Sequence, residues 1–263
     1  MPKAPVNGTE LYYESHGEGP AIVFAHQRAG NHLTWWQQVP VLSKKYRCVT
    51  YDQRGWGASV QGAGGPGLSA GVEDLRQLLD HLGIARTFLV GHSMGGITCL
   101  GFALAHPERT LGLILVDTTA GVGDPAVLAA ITDLVNLPAG DVPRTLSARF
   151  IEQRPELTFL YEEISGINPE LNLDIRSAFH NPAGLQAADL AKLSVPTLLM
   201  VGEEDVIFPE KAIRAIQSMI PGAKLEVVPG TAHVPQFEVP DVFNRLVGDF
   251  FSGVLSGNPT TTG

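Results

Sequence analysis

Cysteine is nearly absent from this chain: Cys48 and Cys99 are the two thiols among 263 residues. One falls in an expected strand and the other on an expected helix, so no disulfide framework can be built from them, and both read as buried free thiols in a reducing compartment. Positive charge is also in short supply, with 18 lysines and arginines against 27 aspartates and glutamates. A net charge of −9 without any basic run argues against a nucleic-acid surface or a patch for anionic membranes. No apolar stretch approaches the length of a membrane span, and Met1-Pro2-Lys3-Ala4-Pro5-Val6-Asn7-Gly8 has neither the basic start nor the apolar core of a signal peptide. These absences lead to the expectation of a cytoplasmic protein whose partner is a small molecule, with a homodimer left open. No His-x-x-x-His, paired cysteine or clustered carboxylate arrangement suggests a metal. The glycine-rich stretch Gly62 to Gly67 lacks the lysine and the preceding strand of a phosphate loop. Neither a metal nor a cofactor is expected.

What the chain has is alternation. Short apolar runs at Ala21 to Ala25, Arg47 to Tyr51, Thr87 to Val90, Leu111 to Val116, Val195 to Val201 and Lys224 to Val228 read as strands, after a first strand near Glu10 to Glu14. Between them lie amphipathic helices from Ser69 to Leu82, after Ser93, from Pro209 to Met219 and from about Pro240 to Phe251. Unbroken apolar strands alternating with helices predict an α/β fold with a mostly parallel, doubly wound sheet covered on both faces. The rhythm stops between residues 118 and 193, where Pro138, Gly140, Pro143, Pro155, Pro169 and Pro182 break the chain into short helices. This segment is expected to be an inserted helical cap on a core formed by residues 1–117 and 194–252. Its apolar side chains, Leu128, Leu137, Phe159 and Phe179 among them, would partly face a crevice. Residues 253–263 read as a disordered tail.

The pattern G-x-S-x-G occurs twice, and its context separates the two copies. Gly91-His92-Ser93-Met94-Gly95-Gly96 follows the apolar strand and opens a helix, which is the setting of a nucleophile elbow: a sharp turn that lifts the serine clear of the backbone and needs small neighbours. The helix N-terminus at Met94 aims free N–H groups at the place where a carbonyl oxygen would gain charge. Ser93 is thus the candidate nucleophile. Gly67-Leu68-Ser69-Ala70-Gly71 has no strand before it, and Ser69 reads as a helix N-cap.

A serine nucleophile needs a base, and the base needs an orienting acid. Of the eight histidines, His233 stands in the loop beyond the last strand, and loops at the carboxyl ends of parallel strands face one crevice. For the acid, Asp205 follows the strand ending at Val201, and its loop has the reach required. Asp117, after the strand ending at Val116, stays open as a rival. Glu203 and Glu204 read as solvated charges.

The chain order Ser, Asp, His, the elbow, the turn Asp52-Gln53-Arg54-Gly55-Trp56-Gly57-Ala58-Ser59, and Pro229-Gly230-x-x-His233 followed by Glu238-x-Pro240 together resemble the α/β-hydrolase fold superfamily across nearly the whole chain. Small esterases and enol-lactonases are the members it resembles most. The resemblance implies that a second oxyanion donor follows the strand Ala21 to Ala25. There the chain reads His26-Gln27-Arg28-Ala29-Gly30, with Gln27 where relatives carry glycine, so the backbone N–H groups of Gln27 and Met94 would form the hole. The Gln27 side chain would either reach the substrate or pack away. His32, Trp35 and His180 are further candidates for substrate contact, whereas His26, His92 and Arg54 read as structural. The expected activity is cleavage of a carboxylic ester or lactone of a small, largely apolar substrate through an acyl-enzyme. Carbon–carbon bond hydrolysis, thioester cleavage, cofactor-free perhydrolysis and cyanohydrin cleavage use the same residues in relatives, and a non-catalytic ligand receptor is the alternative from another class.

Overall fold

A computed structural model of the protein describes residues 2–61, 65–136, 144–169 and 178–257. Eight strands form one sheet in the order β1-β2-β4-β3-β5-β6-β7-β8. Their ranges are β1 Lys3–Val6, β2 Thr9–His16, β3 Ala21–Ala25, β4 Arg47–Tyr51, β5 Thr87–His92, β6 Thr110–Val116, β7 Thr197–Gly202 and β8 Lys224–Val228. From β4 to β8 every pairing is parallel, while β2 runs antiparallel to β4 and β1 antiparallel to β2. The expected α/β fold is therefore what the chain adopts.

The edge strand β1 is an addition to the sequence reading. Asn7 and Gly8 both have positive φ, 44° and 75°, the geometry of a two-residue hairpin whose Asn-Gly signature is present in the sequence. Pro5 is tolerated there because an edge strand can spare an N–H.

Side chains of β5 alternate between two cores, as a period of two requires. Leu89 joins Leu75, Leu78, Leu79, Met94 and Cys99 on one face of the sheet. Phe88 and Val90 join Phe24, Trp35, Phe243 and Phe251 on the other. Cys48 and Cys99 are free and buried, and burial pushes the Cys48 thiol up to about 12.

The boundaries of two helices differ from expectation. The second helix spans Gly71–His81, and Ser69 lies inside a preceding 3-10 turn, Gly67–Ala70, where its hydroxyl donates back to the Pro66 carbonyl at 2.7 Å. Ser69 therefore does not cap: the residue before the helix is Ala70, which has no side-chain acceptor. The last helix continues through Leu255, into the segment expected as a tail, because Phe250 and Phe251 pack against the sheet and carry the helix onward. Residues 258–263 lie outside the described residues. Between β6 and β7, short helices form at Pro125–Ala130, Thr132–Val135, Ala148–Gln153, Pro155–Gly166 and Ala187–Leu190. Asp124 and Ser147 cap two of them by accepting backbone N–H groups. Leu137, Pro138, Gly140 and Pro143 fall outside the described residues, as do Gly62 to Gly64. Among the described residues no helix is long and apolar enough to cross a membrane.

Glycines let the helix Met94–Ala105 approach the sheet. A Cβ on Gly95 would stand 2.1 Å from the Ala25 carbonyl oxygen, and one on Gly96 would stand 2.5 Å from Thr118. Gly248, inside the helix Pro240–Leu255, has open space around it. Gly95→Ala should cost about 1–3 kcal/mol or more through overpacking against backbone, whereas Gly248→Ala should stabilise by about 0.4–1 kcal/mol by restricting the unfolded chain. Thermal melts of the two variants check this pair, and equal shifts would refute it.

Candidate active site

Ser93 sits between β5 and the helix Met94–Ala105 with φ 50° and ψ −115°, outside the common regions for an L-residue. Two bonds from the end of β6 hold it there. Its N–H donates to the Val116 carbonyl at 2.9 Å, and the Thr118 hydroxyl donates to its carbonyl at 2.7 Å. Ser93 is 6 % exposed. Met94 N–H opens the helix, where the first N–H groups have no intrahelical partner. In the loop after β3, neither Gln27 N–H nor Arg28 N–H forms a hydrogen bond among the described residues.

His233 and Asp205 meet. His233 Nδ1 lies 2.9 Å from Asp205 Oδ2, and both residues are buried. Asp205 Oδ1 accepts the N–H groups of Ile207 at 2.7 Å and Phe208 at 3.2 Å, so the carboxylate is held at both oxygens. The loop carrying Asp205 passes directly under the loop carrying His233: a Cβ on Gly202 would stand 1.9 Å from the Ala232 carbonyl oxygen. Glu203 is not simply solvated, since its carboxylate accepts Gly230 N–H at 2.9 Å and braces the histidine loop. Glu204 is exposed.

His92 ties this pair to the elbow. Its Nε2 lies 2.7 Å from the His233 carbonyl, which makes Nε2 the protonated nitrogen, and Nδ1 accepts the Gln236 amide at 2.8 Å. Burial, and then the charge of His233, hold His92 well below the usual histidine range, so it is neutral. The structural role expected of His92 takes the form of a hydrogen-bonded link between elbow and histidine loop. The Gln27 side chain is buried against His92, with Oε1 3.1 Å from Nδ1, and its Nε2 has no partner among the described residues.

The other candidates lie elsewhere. His32 donates its N–H and turns its Nδ1 to Asp52, at 2.7 and 2.8 Å, bracing the turn after β4. Gly57 is needed in that turn, because a Cβ there would stand 2.3 Å from Asp52 Oδ2. Trp35 is fully buried between Phe24 and Phe243, so it packs the sheet instead of lining an entrance. His180 is exposed on the segment between β6 and β7. Arg54 braces as read, with Nε 2.7 Å from Asp74. His26 also fixes its loop, with Gln53 N–H donating to Nε2 at 2.9 Å, and burial pushes its imidazole down to about 4.

Two residues singled out in the sequence have contacts that the sequence does not reveal. Glu238, four-fifths of a turn beyond the histidine loop, accepts N–H groups of Ala232 at 3.1 Å and Ser147 at 3.2 Å, together with the Ser147 hydroxyl. With the bond from His233 N–H to the Thr145 carbonyl at 2.9 Å, it fastens the inserted segment to the histidine loop. Aromatic contacts continue the join: Phe179 lies 4.7 Å from Phe208, whose ring is 5.7 Å from His233. The second is Asp117. One of its carboxylate oxygens, one of Asp205 and a His233 ring nitrogen lie within 4.8 Å of one another, the one grouping of three such ligands among the described residues. Asp205 and His233 are already engaged with each other and with N–H groups, so this set offers a cation one free oxygen.

Comparison with known proteins follows this geometry. The sequence profile described as alpha/beta hydrolase fold matches residues 20–240. The 3-oxoadipate enol-lactonase 2 of Acinetobacter baylyi is 28 % identical, covering 90 % of this chain and 91 % of its own. The 2-hydroxy-6-oxononadienedioate/2-hydroxy-6-oxononatrienedioate hydrolase 2 of Pseudomonas putida is 29 % identical, covering 92 % and 91 %. Among solved structures, the enol-lactonase from Burkholderia xenovorans LB400 superposes with a TM-score of 0.79 at 27 % identity, over 95 % of this chain and all of that one.

Burial raises the Glu238 carboxyl above the usual range, only partly offset by its bonds to Ser147 and Ala232. A raised folded value means that its stabilising contribution is complete below the unfolded carboxylate range and is lost as pH rises through the folded value. Glu238→Gln should flatten that part of the stability profile. Glu238→Ala, which strands several buried donors, should cost about 2 kcal/mol or more. Melting temperatures measured from pH 4 to 8 test both, and an unchanged profile in the Gln variant would sink the first.

Proposed function

The chain belongs to the α/β-hydrolase fold family, and we propose that within it this protein is a serine hydrolase cleaving a carboxylic ester or lactone of a small, largely apolar substrate. The observation that carries this reading is the Asp205–His233 pair, 2.9 Å apart and tethered to the elbow through His92. His233, held by Asp205 through Nδ1, takes the proton of Ser93 as the serine attacks the carbonyl carbon. The oxyanion is held by the Met94 N–H and by the loop after β3, where Gln27 N–H is the assigned donor. His233 then protonates the leaving oxygen and activates water to release the acyl group from Ser93. Fixing Asp205 at both oxygens keeps the imidazole in one tautomer and stabilises the imidazolium.

The segment 118–193 acts as the cap. Its Phe179 and the loop residue Phe208 offer apolar surface beside His233, which suits a substrate with little charge. The enol-lactonase names borne by relatives from Acinetobacter and Burkholderia support a lactone as one substrate form.

Ser93→Ala should remove at least about 99 % of hydrolysis, and Ser69→Ala should leave it within about threefold. A panel of esters, lactones, thioesters and vinylogous diketones assayed with the purified protein checks this. Turnover of diketones alone would replace the ester reading with carbon–carbon bond hydrolysis, and comparable losses in both serine variants would overturn the elbow assignment. Asp205→Asn should lower kcat by about three to four decades, as the loss of an orienting acid does elsewhere, with circular dichroism confirming the fold.

A further inference from the structure

Asp117 leaves β6 with φ 43°, a left-handed conformation that aspartate tolerates because its side chain is short. Its N–H extends the ladder to the Met200 carbonyl at 2.9 Å, and its Oδ1 accepts Gly202 N–H at 2.8 Å. The residue is fully buried, yet Oδ2 has no partner while it is treated as an acceptor. The groups that face it are Asp205 from the loop after β7, His233 from the loop after β8 and Glu238 from the short helix Pro235–Glu238. Two carboxylates this close, away from water, do not both ionise. Asp205 is the better anion, since it meets two N–H groups and the His233 ring, against one N–H for Asp117.

We propose that Asp117 is a neutral carboxylic acid whose Oδ2–H donates a hydrogen bond to Asp205, making it a positioning residue for the Asp205–His233 pair. The orphaned oxygen then becomes a donor, and the buried Asp205 carboxylate gains a further hydrogen bond. Burial, followed by the Asp205 charge, holds the Asp117 carboxyl well above the usual carboxylate range, in the direction this arrangement requires. Chemically, the extra donor fixes the Asp205 carboxylate against which His233 Nδ1 is oriented. No proton moves between Asp117 and Asp205 during turnover. The catalytic consequence rests on the roles given to Ser93, Asp205 and His233 above.

The experiment pairs Asp117→Asn with Asp117→Ala. Asparagine puts an N–H donor where the O–H stood without changing charge, so kcat should stay within about threefold and the acid limb of the kcat/KM pH profile should not move. Alanine removes the donor; kcat should fall about 10- to 100-fold with KM little changed, and the acid limb should move to higher pH as Asp205 pulls harder on the imidazolium. If Asp117 were ionised, Asp117→Asn would delete a negative charge beside His233 and move that limb down by about one unit, which would overturn the proposal. So would full kcat in Asp117→Ala. Infrared difference spectroscopy at neutral pH supplies a reading that needs no turnover: the carboxylic acid C=O band should be present in the wild type and missing in Asp117→Asn. Its presence in both would also overturn the assignment. A protein that cleaves no ester or lactone would refute the ester reading while leaving this band to be read.

Discussion

The constraint on which the rest depends is the turn at Ser93. An L-residue at φ 50° is strained, at a cost of order 1–3 kcal/mol that must be offset by its surroundings. The offset comes from the end of β6, where Val116 accepts the Ser93 N–H and Thr118 donates to the Ser93 carbonyl. It also comes from the absence of side chains at Gly91, Gly95 and Gly96, which lets the following helix lie against β3 and Thr118. Strand β6 is therefore the clamp: one residue of it grips the elbow, the next reaches Gly202 at the foot of the acid loop, and the third grips the elbow again. Positions of the serine and of the acid loop are set from one three-residue stretch.

The histidine side of the site is held by a different device. Its loop is gripped from below by Glu203 and Gly202, from within by Glu238, and from the side by His92. Glu238 and His92 each place a polar group against a backbone N–H or C=O in a buried setting, where such bonds are strong and costly to lose, whereas the Glu203 bond lies at the exposed surface. The neutral state of His92 matters to this, because a protonated ring next to His233 would repel it.

Much of this was legible in the sequence because it depends on local pattern. The elbow needs glycines at fixed offsets, so Ser93 could be separated from Ser69 by the strand in front of it. Strand and helix identities followed from periodicity, and the candidates His233 and Asp205 followed from loops after strands. What was not legible depends on contacts between distant segments. Nothing near Asp117 in the chain indicates that Asp205 will lie beside it, and the choice between the two as acid turned on reach, which sequence gives only loosely. Trp35 and His32 were candidates for substrate contact because aromatic and imidazole side chains suit either a binding site or a core; Phe24, Phe243 and Asp52 decided the matter, and all three are remote or read otherwise. Glu238 carried a motif position but no visible partner, since Ser147 lies 91 residues before it.

The clasp formed by Thr145, Ser147 and Glu238 has a bearing on how such a chain can diversify. His233 N–H is bonded to Thr145 and Ser147 to Glu238, so the segment between β6 and β7 touches the backbone of His233 itself. The same segment is also joined to the loops after β3 and β4, where Asn31 donates to the Ile164 carbonyl at 2.8 Å and Asn168 bonds Gly30 and Gly57 at 3.1 Å. Its helices can be lengthened, shortened or exchanged for those of a relative so long as the Thr145–Ser147 hook and the bonds made by Ile164 and Asn168 are carried across. A graft that moved the hook by a single residue would leave the outer helices folded and yet let the histidine loop drift, decoupling selectivity from competence.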